Sequence, residues 1–121
     1  MDPKKRRMVA YIAGRLILNK ESTAVYDHAT KKWFNAAGAC KRDKVEVFDY
    51  ERQCYMVGVI QNGRMSIFDN GSQKFVELKL KGGKKFEGFD YETGKHFGGE
   101  ADPKAVALYD FQDKKYYHYV V

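Results

Sequence analysis

The chain reads as an all-β protein, an antiparallel meander of about ten or eleven strands folded as five hairpin repeats. Its expected form is a closed up-and-down β-barrel, with a hairpin solenoid as the alternative. Three observations predict this. First, an aromatic residue and an aspartate are followed five times, after the same five-residue gap, by another ring: Tyr26-Asp27 by Trp33, Phe48-Asp49 by Tyr55, Phe68-Asp69 by Phe75, Phe89-Asp90 by His96, and Tyr109-Asp110 by Tyr116, the aspartates lying 20 to 22 residues apart. Second, five further turn signals fall between these, at Asn19 to Ser22, Lys41 to Lys44, Asn62-Gly63, Gly82-Gly83 and Asp102-Pro103. The chain therefore reverses about every ten residues, which leaves room for strands and little else. Third, apolar and polar residues alternate between the turns, which sorts them onto the two faces of a sheet.

The strands are expected at roughly 8–18, 22–27, 32–40, 44–49, 53–60, 64–69, 74–80, 85–90, 95–100, 104–110 and 114–121. In that order their apolar face carries Ile12, Leu16 and Leu18; Val25; Phe34; Val45 and Val47; Met56 and Ile60; Met65 and Ile67; Val76, Leu78 and Leu80; Phe86; Phe97; Val106 and Leu108; and Tyr117 and Val121. The opposite face carries Arg15, Asn35, Glu46, Ser66, Glu77, Lys79, Glu87 and His118 and must meet water. Gly14, Gly38, Gly58, Gly88 and Gly99 fall on the apolar face, where a missing side chain lets a strand bend toward its concave side, and this favours closure. Each repeat aspartate opens its turn by accepting backbone N–H bonds, with Gly71 and Gly94 supplying positive φ in their turns. Residues 1–7, with the run Pro3-Lys4-Lys5-Arg6-Arg7, are expected as a flexible basic arm before one all-β domain, 8–121, and resemble a short nuclear import signal.

In each aspartate hairpin the flanking rings are cross-strand partners on the water-facing side. Tyr26, Trp33, Phe48, Tyr55, Phe68, Phe75, Phe89, His96, Tyr109 and Tyr116 therefore form a belt, which ties the hairpins together and offers a binding surface. The plain turns at the other rim carry nine cations against four anions, among them Lys41, Arg42, Lys44, Arg64, Lys81, Lys84 and Lys85, whereas the aspartate turns carry seven against eight. A basic rim attracts phosphates, although lysines in turns commonly serve solubility. The five aspartates read as turn caps rather than a cation site, because Lys32, Lys74, Lys95 and Lys115 sit opposite them. His28, His96 and His118 fall in different repeats without ligand spacing, and Glu46 and Glu87 occupy equivalent positions of the repeat. No catalytic, metal or cofactor motif emerges.

Cys40 and Cys54 fall on strands separated by a third and are expected as free thiols. With no membrane-spanning run and no signal-peptide core, the expected home is the cytoplasm. The segment Lys85-Phe86-Glu87-Gly88-Phe89 through Thr93-Gly94-Lys95-His96-Phe97-Gly98 is similar to one unit of the MORN hairpin repeat, whose glycines the other four units lack. The period also resembles that of choline-binding cell-wall repeats, whose paired tryptophans are absent here. The function expected is a non-enzymatic binding or scaffolding domain that acts through the belt, on a protein partner or on a second copy of the chain. The alternatives are a single-stranded nucleic-acid binder using belt and basic turns, and a carrier of a small apolar ligand in the barrel lumen; no membrane partner is expected.

Overall fold

Ten antiparallel strands, each paired with its chain neighbours, close into a barrel in the computed structural model, which describes residues 1–121. They are β1 (Ala24–Asp27), β2 (Lys32–Lys41), β3 (Lys44–Asp49), β4 (Cys54–Gln61), β5 (Arg64–Asp69), β6 (Lys74–Gly82), β7 (Lys85–Asp90), β8 (Lys95–Ala101), β9 (Val106–Asp110) and β10 (Lys115–Val120). The seam is formed by β1 and β10, with Tyr26 opposite Val120 and Asp27 opposite Tyr119. The barrel expected from the turns and the alternation is the fold.

The first expected strand is not a strand. Residues Pro3–Leu18 form a helix, α1, and Lys5 through Leu16 of it are buried. The basic arm is likewise not a free arm, since Lys5, Arg6 and Arg7 are 0 %, 4 % and 4 % exposed. Local chemistry starts the helix: Asp2 accepts the Lys5 N–H at 3.0 Å, and Pro3 stands in the first turn, where its missing N–H costs nothing. Asn19, in the left-handed region at φ 50°, ends it. Barrel geometry gives the helix its place. Eight strands leave a lumen that side chains just fill, so ten leave a wider one, and a helix about 10 Å across fits it.

α1 packs its apolar residues, Met8 to Ala13 and Leu16, against the inward residues of nearly every strand, including Val25, Val47, Met56, Ile67, Leu78, Phe97 and Leu108. Gly14, expected to bend a strand, instead lets the helix approach the wall, because a Cβ there would collide with Val121 and lie 2.8 Å from Val106 Cγ2. Among the glycines on strands, Gly38 and Gly99 stand where a Cβ would strike the Glu46 and Ala107 backbone oxygens of the neighbouring strand. Near the C-terminal end of α1, Arg15 donates to the Gly38 carbonyl at 2.7 Å and to the Tyr11 hydroxyl at 3.1 Å, while the Tyr11 hydroxyl reaches the Ser22 and Ala36 carbonyls. No helix is long and apolar enough to cross a membrane.

Candidate functional site

Every repeat aspartate is the last residue of an odd-numbered strand and points inward at one rim. Its Oδ1 accepts the N–H two residues on in all five turns, from Ala29, Glu51, Gly71, Glu92 and Gln112. The fourth residue after each aspartate holds positive φ: Lys31, Gln53, Gln73, Gly94 and Lys114, at 55–71°. Gly94 therefore does what the sequence implies, whereas in the third turn the position belongs to Gln73 and not to Gly71.

The charge partners differ from those expected. Lys32, Lys74, Lys95 and Lys115 are exposed, and the buried carboxylates pair instead with α1, with one turn arginine and, at Asp110, also with the Met1 amine at 3.0 Å. Lys5 Nζ lies 2.7 Å from Asp90, Arg6 Nη1 3.3 Å from Asp110 and Arg7 Nε 3.0 Å from Asp27. Arg52 bridges Asp49 at 2.7 Å and Asp69 at 2.9 Å. Burial alone would raise the Asp69 carboxyl, but the Arg52 hydrogen bond and charge, with Ser72 and the Gly71 N–H, outweigh it and hold it below the usual carboxylate range. Arg6 and Arg7 also stack over Tyr117 and Phe34, at 3.3 and 3.4 Å from the ring centroids. Cations in the first turn of a helix oppose its dipole, and the aspartate ring supplies the compensating charge. This end of the lumen is thus a structural lock of four side-chain cations and five aspartates, in which every buried side-chain nitrogen and oxygen has a partner.

The ten belt residues all lie on the outer wall, in the pairs the repeat implies: Tyr26 opposite Trp33, Phe48 opposite Tyr55, Phe68 opposite Phe75, Phe89 opposite His96 and Tyr109 opposite Tyr116. Their centroids are 4.8–5.3 Å apart at 58–68°, the tilted geometry that ring quadrupoles favour. The first ring of each pair is half-buried and the second exposed, up to 60 % at Trp33. The sequence reading missed a third ring. The residue after the aspartate is His28, Tyr50, Tyr91 or Phe111 in four of the hairpins, and it packs edge-on against the first ring at 4.8–5.0 Å. An aromatic immediately after Asp was the available signal. In the third hairpin Asn70 stands there and donates to the Tyr55 carbonyl at 3.0 Å.

Lys41, Arg42, Lys44, Arg64, Lys81, Lys84 and Lys85 are exposed at the opposite rim. Three of them face glutamates on the wall: Lys44 with Glu46 at 3.7 Å, Arg64 with Glu77 at 3.4 Å and Lys81 with Glu87 at 3.3 Å. Cys40 and Cys54 are free thiols. No family model, curated protein or solved structure matches the chain.

Proposed function

We propose that this protein is a non-enzymatic binding or scaffolding domain that presents its outer wall to a protein partner, a second copy of the chain included. One observation carries the reading: seven large aromatic side chains, Trp33, Tyr50, Tyr55, Phe75, Tyr91, Phe111 and Tyr116, are 47–60 % exposed on one belt. Hairpin pairing accounts for the half-buried first rings, at roughly 0.2–1 kcal/mol per pair. It leaves the open faces of the second and third rings without a partner, and exposed apolar area of this kind marks interaction surfaces. The nucleic-acid reading draws on the same rings and the basic turns, but glutamates beside Lys44, Arg64 and Lys81 oppose a phosphate there. The lumen reading has lost its space to α1, whose buried residues occupy the interior.

Sedimentation velocity over a concentration series tests the proposal, comparing the parent with the double variant Trp33→Ala, Tyr55→Ala. The expected result is a parent that self-associates or retains a partner, and a variant that loses this while melting only a few degrees lower. Identical sedimentation of both proteins at every concentration, with Trp33 emission fixed at that of a water-exposed indole, would leave the rings as hairpin ties alone.

A further inference from the structure

Among the grooves of the outer wall, one of about 520 Å³ lies over β2–β4 and one of about 640 Å³ over β6–β10. They are the same feature of the repeat, occurring twice. In each, the neighbour of a hairpin's first ring on the preceding strand is small: Ala37 opposite Phe48, and Gly98 opposite Tyr109. The other three hairpins place the larger Val120, Val57 and Glu77 at that position, and the dip beside Glu77 and Phe89 is only about 160 Å³. The walls correspond too, Tyr50 and Tyr55 in one groove matching Phe111 and Tyr116 in the other. Further along the floor an alanine–glutamate pair recurs with its strands exchanged, Ala39 opposite Glu46 and Glu100 opposite Ala107.

We infer that these grooves are two equivalent sites for a short neutral oligosaccharide, so that one barrel holds two chains. The inference rests on the outer wall being a binding surface and adds to the protein partner a second class of ligand. Both volumes fall in the range of ligand pockets. Each groove joins an exposed aromatic wall to both hydrogen-bond donors and acceptors: Lys41 and Lys44 with Glu46 in one, Lys81 and Lys85 with Glu87 and Glu100 in the other. Formal charge in the grooves nearly cancels, and Lys44 and Lys81 already face a carboxylate. An anion would sit beside a carboxylate and gain little; a hydrophobic chain would strip the charged groups of water without replacing its hydrogen bonds. A sugar satisfies both halves. Its C–H face lies on the tyrosine or phenylalanine ring, and its hydroxyls donate to the glutamates and accept from the lysines.

The test is a titration of the intact ¹⁵N-labelled protein with tetrasaccharides of glucose, of N-acetylglucosamine and of mannose, beside a thymidine 12-mer, at low and high salt. The expected result is that at least one tetrasaccharide shifts the amides of Ala37–Ala39 and of Gly98–Glu100, saturates at two per chain and is insensitive to salt. Ala37→Leu then abolishes the first set of shifts alone and Gly98→Leu the second alone, each leaving one ligand bound. A Cβ at Gly98 would lie 3.3 Å from the Phe86 carbonyl oxygen, a tight contact that the neighbouring strand must yield to slightly. If Gly98→Leu does not fold, Tyr116→Ala removes the exposed wall of the same groove and must reduce the stoichiometry in its place. The inference is overturned by three tetrasaccharides that shift neither groove, by stoichiometry unchanged in both filled variants, or by shifts that come only from the thymidine 12-mer and vanish in salt. Belt-dependent sedimentation that survives those results would leave the protein-binding reading standing and remove only the sugar.

Discussion

Replacing Arg52 by methionine isolates the charge lock, because Arg52 belongs to a turn and the substitution leaves α1 intact. The guanidinium bridges Asp49 and Asp69, which are 2 % and 0 % exposed. Without it, two buried carboxylates lose their cation, and breaking a buried pair in this way costs about 3–5 kcal/mol. Arg52 keeps 12 % of its side chain exposed, so water offers some relief and about 3 kcal/mol is the better figure. An unfolding entropy of roughly 2.1 cal/mol/K per residue converts that, for this chain length, to a drop in Tm of about 12 °C. The acid dependence carries a second signature. The folded Asp69 carboxyl lies below its usual range, so its stabilisation is present above the unfolded value near ~3.9 and is lost as pH falls through the folded value. The parent should therefore weaken steeply on acidification below ~4, while the variant, lacking that depression, weakens less and the two melting curves converge. Calorimetry from pH 7 downward checks both points. Arg64→Met is the control, since the Arg64–Glu77 pair is exposed and worth under about 1 kcal/mol. An Arg52→Met drop no larger than the control's, or a gap that stays constant into acid, would refute the lock.

Three further outcomes are expected. Gly14→Val should destabilise by about 1–3 kcal/mol by wedging α1 off Val106 and Val121, and thermal melting equal to the parent's would contradict the close approach. Gly58→Val adds bulk where a Cβ alone would lie 2.9 Å from Ile67 Cγ1 and 3.1 Å from Met65 Sδ; a loss of similar size is expected in denaturant titration, and none would displace Gly58 from the inner face. Burial pushes the Cys40 thiol up to about 11, so in the native protein at pH 8 a thiol reagent should label the less buried Cys54 first, since the thiolate is the reactive form. Both should label after denaturation without reductant, and Cys40 reacting as fast as Cys54 in the native state would contradict its burial.

Much of the barrel was legible because its determinants are local and repeated. An aspartate that accepts the N–H two residues on makes its own turn, and an aromatic on each side of that turn marks the register, so Phe48 opposite Tyr55 or Tyr109 opposite Tyr116 follows from spacing alone. Period-two alternation then assigns the inner face. Two things were not local. Met8-Val9-Ala10-Tyr11-Ile12-Ala13 is an unbroken apolar run, and such a run fits a buried strand as well as a helix surrounded on all sides. What decides between them is the width of a ten-stranded lumen, which exists only once the ring has closed. The second is charge. Lys5, Arg6 and Arg7 look like a solvated tail, and three first-turn cations argue against a helix start, until closure gathers five aspartates from across the chain at the same rim. The sequence by itself determined the turns, the strand pairing and the outward rings. Only the tertiary structure decided that the N-terminal segment is a helix in the lumen and that the aspartates face its cations. The reason is that both depend on groups far apart in the chain, brought within a few ångströms by the barrel.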